Sequence, residues 1–130
     1  MKARYGITLV FITHDLGVVK NISDRIMVMY LGRVCEVATP DQLFAGPAHH
    51  YTRLLMESVP RIETEGRHGR RPVPASELPS PLDPPSGCRF RTRCPAAQDV
   101  CAAEVPQMTE LRPGHYVACH FPVIDVPVSL

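Results

Sequence analysis

Apolar residues along the first part of the chain follow two different periods, separated by turn signals. Residues 7–13 form a short, largely β-branched apolar run, and such a run predicts a buried strand. The next segment, Leu16–Ile22, places apolar residues three positions apart, which is typical of a short helix. Thr13 or Asp15 can cap that helix at its start.

A β-hairpin is predicted next. Residues 25–30 and Arg33–Ala38 are both rich in apolar, strand-forming side chains, and Leu31-Gly32 between them predicts a tight turn.

Two helices are predicted after the hairpin. Thr39 is a favourable N-cap, Pro40 fits the first helical position, and Gln42 completes a capping box. This helix should stop at Gly46-Pro47. The second helix covers His50–Ser58, ends at Pro60, and should turn its apolar side chains inward; these are Leu54, Leu55 and Val59.

The pattern changes after residue 60. Proline makes up 14 of the 130 residues, and six of these prolines accumulate between residues 61 and 86, which predicts an extended or mobile linker. Four cysteines follow. The chain therefore divides into residues 1–60, a linker at 61–86, a cysteine module at 87–122 and a short tail at 123–130.

Charge and hydropathy exclude some classes of partner. The formal net charge of +1 provides no general attraction to nucleic acid or anionic lipid. The apolar run at residues 9–12 is far shorter than the roughly 20 residues of a membrane-spanning helix. We expect a cytoplasmic protein with no direct membrane insertion, whose membrane contact goes through a partner.

His14 is the candidate catalytic residue. It follows the predicted strand at 7–13, and the carboxyl ends of strands in α/β sheets are common ligand sites. An imidazole there can donate to a phosphate oxygen and stabilise charge in phosphoryl transfer. By itself, however, a histidine at a strand end is more often a capping or surface residue.

The surrounding residues make the interpretation more specific. Ile7-Thr8-Leu9-Val10-Phe11-Ile12-Thr13-His14-Asp15-Leu16 resembles the switch-histidine strand of the ATP-binding subunits of ABC transporters. The segment from Ser23 to Arg33 is similar to the strand, turn and strand that follow it in that family. The resemblance implies that His14 contacts the γ-phosphate of ATP. It also implies an α/β fold, the C-terminal part of an ABC-type P-loop ATPase domain followed by a small irregular cysteine-rich module.

Two further motifs resemble the dipeptide/oligopeptide importers within that family. Gly46-Pro47-Ala48-His49-His50-Tyr51-Thr52 is similar to their Pro-x-His-Pro-Tyr-Thr segment, with His50 where proline is usual; its structural role should be a helix N-terminus. The cysteine segment, including Gly87-Cys88-Arg89-Phe90 and Arg93-Cys94-Pro95, looks very like their C-terminal extension.

The four clustered cysteines are the candidate metal ligands. Cys88, Cys94, Cys101 and Cys119 have the spacing C-x5-C-x6-C-x17-C. Zinc knuckles usually contain C-x2-4-C pairs, so these longer gaps favour a [4Fe–4S] cluster over zinc. For zinc, His115 and His120 are possible substitute ligands. The remaining alternatives are four reduced, buried cysteines or two disulfides. Cys35, in the predicted hairpin, should not take part.

Several parts of an ABC ATPase are not found in this sequence. There is no Gly-x-x-x-x-Gly-Lys-Ser/Thr phosphate loop, signature loop or acidic catalytic residue before the switch strand. The chain alone is therefore not expected to hydrolyse ATP, and the strand at 7–13 should have exposed edges. A truncated gene or a misassigned start would each account for this.

The favoured function is part of the ATP-binding subunit of a dipeptide/oligopeptide importer. The resemblance implies ATP and Mg²⁺ as cofactors of the full-length protein. It also implies transmembrane permease subunits and a second ATP-binding subunit as partners, at the inner face of the cell membrane. The alternatives are a stand-alone iron–sulfur or zinc module and a non-functional gene remnant.

Overall fold

The computed structural model describes residues 6–58 and 79–123. In chain order they form α1 (Leu16–Ile22), β1 (Ile26–Tyr30), β2 (Arg33–Ala38), α2 (Pro40–Ala45), α3 (His50–Ser58), α4 (Asp99–Ala103), β3 (Met108–Arg112) and β4 (His115–Ala118). Most of the predicted linker, the predicted helix end at Val59 and Pro60, and the tail from residue 124 lie outside the described residues.

The predicted hairpin is confirmed. β1 and β2 pair antiparallel, and Tyr30 is opposite Arg33 across the turn. Both turn residues have positive φ, 47° at Leu31 and 78° at Gly32. Two-residue turns of this kind match the right-handed twist of the strands they join, which is why a glycine is favoured here.

The four strands form one antiparallel sheet in the order β1-β2-β4-β3. β2 pairs with β4 through Glu36 opposite Val117 and Val37 opposite Tyr116. Residues that the sequence analysis assigned to the ATPase part and to the cysteine module therefore share one sheet. The observed fold is a small α/β structure with an antiparallel sheet.

Two apolar clusters hold the helices to the sheet. The first contains Ile26, Val28, Ala38 and Leu43, and the partly buried Val19, Phe44, Tyr51, Leu55 and Met56 pack against it. The second contains Tyr30, Cys35 and Phe90, with Leu54, Cys88 and Cys94 among the side chains around it. Leu54 and Leu55 of α3 thus face inward as predicted, each toward a different cluster. Tyr51 contacts both clusters and so links them.

The prediction of a buried strand at residues 7–13 is wrong for this structure. The segment has no regular secondary structure, and its side chains are exposed, Val10 by 88% and Ile12 by 100%. No strand pairs with it in the described part of the chain. An apolar run becomes a buried strand when neighbouring strands accept its hydrogen bonds and a second layer covers its side chains. The described residues supply neither.

The predicted caps of the first two helices are confirmed. Asp15 caps α1 by accepting from the backbone N–H of Val18 at 3.2 Å. Thr39 and Gln42 form the expected capping box at α2, with both reciprocal hydrogen bonds present. Such side chains satisfy backbone donors that have no partner within the helix.

The start of α3 confirms the structural role expected for the motif at residues 46–52. His49 is the N-cap: its carbonyl accepts from the N–H of Arg53, and its Nδ1 accepts from the N–H of Tyr51 at 3.0 Å. His50, at the first helical position, hydrogen-bonds through Nε2 with the carbonyl of Phe121 at 2.8 Å. Both histidines therefore have structural partners.

Glu36 is the most deeply buried charged residue of the sheet, with no exposed surface. One carboxylate oxygen accepts from the N–H of Ala48 at 2.8 Å and the other from the N–H of His49 at 3.0 Å. The first oxygen also lies 2.5 Å from Nε2 of His115, which is itself buried on β4. One side chain therefore connects β2, the start of α3 and β4, and we call these four residues the carboxylate joint.

A β-bulge explains how β2 buries two successive residues. The register between β1 and β2 shifts after Val28, so that Cys35 is the extra residue on β2. In regular strands neighbouring side chains point to opposite faces, whereas a bulge locally breaks that alternation. Cys35 and Glu36 are both buried as a result.

We expect Glu36→Gln to lower the free energy of unfolding by about 2–4 kcal/mol. The amide replaces an acceptor with a donor, which leaves a backbone N–H or His115 facing another donor in a site without water. Urea unfolding followed by circular dichroism measures the loss.

Glu57→Gln is the matched control. Glu57 is exposed on α3 and pairs with Arg53 at 3.3 Å, so its replacement should change stability by less than about 0.5 kcal/mol. Equal losses in the two variants would contradict a joint that depends on the buried carboxylate.

A second prediction concerns pH. Burial lowers the pKa of His49 to about 4, against the opposing effect of the Glu36 carboxylate, while nearby His50 lowers it further. In the unfolded chain a histidine has a pKa near 6.5. The stability that neutral, buried His49 contributes is therefore complete above pH 6.5 and is lost as the pH falls toward 4. The expected loss from this residue is about 3 kcal/mol.

Unfolding curves of the wild type and of His49→Asn at pH 7, 5.5 and 4 measure the pH-dependent stability that His49 contributes. Asparagine keeps a side-chain acceptor for Tyr51 and does not titrate. The stability difference between the two proteins should shrink as pH falls; parallel pH profiles would show that His49 is not the group responsible.

Candidate functional site

Four of the five cysteines, those that are clustered in the sequence, line one small pocket. Cys88, Cys94, Cys101 and Cys119 contribute to its wall together with aromatic and histidine side chains. Cys88 and Cys94 lie in the turn-rich segment before α4, Cys101 is on α4, and Cys119 directly follows β4. The pocket therefore lies between the turn-rich segment, α4 and the end of β4.

A glycine allows this segment to close on α4. The N–H of Cys88 donates to the carbonyl of Cys101 at 2.7 Å. At the preceding Gly87, φ is +63°, and an added Cβ would lie 2.2 Å from that same carbonyl oxygen. Because real Cβ atoms do not approach so closely, only glycine permits this contact. Ser86 adds a hydrogen bond from its hydroxyl to the carbonyl of Ala102 at 3.0 Å.

The remaining cysteines are positioned by the sheet and by local turns. Cys119 follows β4, whose place is set by pairing with β2 and by the bond between His115 and Glu36. The sulfur of Cys101 accepts weakly from the N–H of Gln98 at 3.5 Å.

Three thiols of this pocket, those of Cys88, Cys94 and Cys119, are held in the protonated form because their pKa values are raised. Burial raises the pKa of Cys119 to about 11, and repulsion from the other three cysteines adds to the effect. Burial likewise raises the pKa of Cys88 and of Cys94, each of which also interacts with the charge of Cys101. The four sulfurs are thus close enough to influence one another electrostatically. Removing their protons needs a cation that replaces them.

The donor set suits a thiolate-bound metal in kind, but the described side-chain positions are not those of a metal site. Across residues 6–58 and 79–123, no group of three or more His, Cys, Asp or Glu side chains is placed to bind a metal ion. The pocket between the cysteines has a volume of about 10 Å³, scarcely that of one water. Ligation therefore requires the cysteine side chains to turn from these positions.

The possible substitute ligands have other partners. Nε2 of His115 bonds to Glu36, and Nε2 of His120 lies 2.9 Å from the carbonyl of Glu104. His120 lines the cysteine pocket, whereas the Nδ1 of His115 is buried without a hydrogen-bond partner in the described part of the chain.

Cys35 lies nearer to the cysteine pocket than its sequence position suggests. It packs in the same apolar cluster as Cys88 and Cys94, and burial raises its pKa to about 12, with Cys88 contributing next. It does not line the pocket itself. Cys35 is far from the other cysteines in sequence, but its position on the bulge of β2 places it close to Cys88 and Cys94.

His14 is not part of this site. It is exposed, and it follows the irregular segment at 7–13 instead of a sheet strand. The expectation that it follows a buried strand at the mouth of an α/β sheet is therefore wrong for this structure. Its role at a phosphate stays a prediction.

Glu36 is the important residue that the sequence analysis did not single out. A lone glutamate in a strand usually points to solvent, and nothing local marks this one as buried. One signal was available: the tight hairpin turn followed by Cys35-Glu36 breaks the expected alternation, as a bulge does.

Comparison with known proteins supplies the family. The family model described as the C-terminal region of oligopeptide/dipeptide transporters matches residues 35–101, just over half of the chain. This range contains most of β2, the carboxylate Glu36, and three of the four clustered cysteines. Among the described helices, none has the length and hydropathy of a transmembrane span.

Similar proteins are named for peptide or oligopeptide transport and ATP binding. A Brucella ovis protein named as a peptide import ATP-binding protein is 50% identical over 119 residues, which are 92% of this chain and 37% of that protein. The oligopeptide transport ATP-binding protein AppF of Bacillus subtilis is 46% identical over 121 residues, again 92% of this chain and 37% of the relative. YkfD, from the same bacterium, is 50% identical over 116 residues, 88% and 35% of the two chains.

The chain therefore spans little more than a third of the length of these curated relatives. With a family model over half of its residues and identities near one half across most of its length, the chain belongs to the family defined by the C-terminal region of oligopeptide/dipeptide transporters.

Proposed function

We propose that this chain serves as part of the ATP-binding subunit of a peptide importer. The observation that carries the proposal is the identity of about one half to proteins named for peptide import and ATP binding, over 92% of this chain. In this role the protein works with transmembrane permease subunits and a second ATP-binding subunit at the inner face of the membrane. ATP and Mg²⁺ belong to the complete subunit, of which this chain supplies one section.

The catalytic contribution that we assign to this section is His14. A histidine donor placed near the γ-phosphate would stabilise the charge that develops as the phosphoryl group is transferred. The support is the sequence motif around His14, together with its accessibility in the structure. Exposure leaves the imidazole free to meet groups contributed by the rest of such a subunit.

The carboxylate joint supports a mechanical role for the described section. It ties β2 and the start of α3 to β4, so that the cysteine segment is held against the hairpin. A rigid connection of this kind would keep the C-terminal residues in register with the ATP-binding part during a transport cycle.

A chimera tests this function. The matching 121 residues of the Bacillus subtilis AppF protein are replaced by the aligned part of this chain, and oligopeptide uptake is measured in cells lacking the native subunit. Uptake should be restored, and His14→Ala in the chimera should lower it at least about tenfold, the range expected for a transition-state contact.

Asn21→Ala on α1 is the control, because Asn21 is exposed and bonds only to Gly17 of its own helix among the described residues. A chimera that is stably expressed but inactive would argue against the proposed role. Full uptake by the His14→Ala chimera would remove His14 from the mechanism.

We also propose that the four pocket cysteines, Cys88, Cys94, Cys101 and Cys119, ligate one [4Fe–4S] cluster, with zinc as the alternative metal. Support comes from their shared pocket and from their mutual electrostatic influence. The segment around them buries few large apolar side chains, chiefly Phe90 and Val117, so a metal would supply stability that packing does not. A structural or redox-sensing role follows.

Anaerobic purification followed by iron, sulfide and zinc analysis tests the metal. About four irons and four sulfides per chain are expected, with visible absorbance. Cys101→Ser should reduce the iron content severalfold, whereas Cys35→Ala should leave it unchanged. Zinc at one ion per chain, without iron, would show that the metal is zinc and not a cluster. An unchanged iron content in Cys101→Ser would refute the assignment of Cys101 as a ligand.

A further inference from the structure

A second, larger cavity lies beside the hairpin turn, and nothing above assigns it a role. Its volume is about 490 Å³, within the range of roughly 300–1,000 Å³ that holds small-molecule ligands. The end of β1 and the start of β2 form one wall, and the segments around residues 87–90 and 105–108 form the other. It is nearly fifty times larger than the cysteine pocket.

The walls of this cavity are largely apolar. The apolar contributors are Val34, Phe90, Val105, Pro106, Met108 and Ala118. Apolar walls with a few polar groups are typical of sites for small organic molecules, because burial of the ligand's apolar body provides the driving force and the polar groups orient it.

The charged residues that line the cavity are both arginines. Arg33 is at the start of β2, and Arg89 follows Cys88. Arg89 donates through Nη1 to the carbonyl of Leu31, which anchors its guanidinium beside the turn. No aspartate or glutamate is among the described residues of the cavity wall, and neither arginine forms an ion pair with a described residue.

The unused donors of these arginines determine the preferred charge of a ligand. A guanidinium has five N–H donors and stays protonated at any physiological pH. Arg89 uses Nη1 for Leu31, and Arg33 makes no side-chain hydrogen bond to a described residue. Two cations next to an apolar wall, without a carboxylate to balance them, favour an anion.

Tyr30 brings an unpartnered polar group close to this cavity. It also lines the cavity and is 6% exposed, and its hydroxyl oxygen is buried without a hydrogen-bond partner in the described part of the chain. A buried hydroxyl left unpaired is unfavourable, and an acceptor atom of a ligand would pair with it once the Tyr30 side chain turned toward the cavity.

We propose that this cavity binds a small organic anion with an apolar body, a carboxylate held by Arg33 and Arg89. The inference is independent of peptide import, since it concerns a cavity that the ATP-related residue His14 does not line. The apolar part of the ligand packs on Val105 and Met108, whose side chains are exposed, and its carboxylate faces the two guanidinium groups.

Calorimetric titration of the full chain with 4-phenylbutyrate tests the proposal, with the uncharged 4-phenylbutanamide as the matched probe. The carboxylate should bind at least about tenfold more tightly, which corresponds to one charge-assisted hydrogen bond. Arg33→Gln should lower the affinity for the carboxylate about tenfold and leave that for the amide unchanged. Raising the salt concentration should weaken the binding of 4-phenylbutyrate and leave the binding of the amide unchanged.

Arg53→Gln is the control, because this exposed arginine on α3 lies outside the cavity wall. Val105→Trp, which fills the cavity, should abolish binding of both probes. Arg89→Gln removes the hydrogen bond to Leu31 and can unfold the turn, so circular dichroism is recorded for this variant. Arg33 is exposed, so Arg33→Gln tests the role of charge even if Arg89→Gln does not fold.

Equal affinities for the acid and the amide would overturn the proposal, as would binding that is unaffected by Arg33→Gln. Tighter binding of a glutamate-rich hexapeptide, lost in the same two arginine variants, would assign the cavity to an acidic protein segment and overturn the small-molecule assignment.

Discussion

A single buried carboxylate organises this structure. Glu36 has no contact with solvent, and a carboxylate without water is unfavourable unless several donors face it. Here the donors are two successive backbone N–H groups at the start of α3 and a buried histidine on β4. None of these groups is near Glu36 in sequence, so satisfying its charge forces three distant segments to meet.

The carboxylate also suits the helix that it caps. The N–H groups before α3 carry partial positive charge, and a negative group near a helix N-terminus is stabilised by it. His49 then completes the cap from its own side chain, with an imidazole kept neutral by burial, its pKa lowered to about 4. The helix start, the buried acid and the sheet are thus parts of one hydrogen-bonded arrangement.

Both candidate sites inherit their geometry from this arrangement. β4 is held beside β2, which places Cys119 against the turn-rich segment that carries Cys88 and Cys94. The same hairpin presents Arg33 and Tyr30 to the larger cavity. By contrast, the apolar segment at residues 7–13 lies outside the sheet and stays exposed, because burial depends on neighbours and not on hydropathy alone.

Local structure was readable from the sequence because it depends on nearby residues. The capping box at Thr39, the turn at Leu31-Gly32 and the start of α3 each follow from side chains within a few positions. The family was also readable, since its motifs are local strings. What needed the tertiary structure was non-local: the pairing of β2 with β4, the burial of Glu36 beside a bulge, and the hydrogen bond between that carboxylate and His115. A strand pattern states which residues favour pairing, but only the fold decides whether a partner is present, as the exposed run at 7–13 shows.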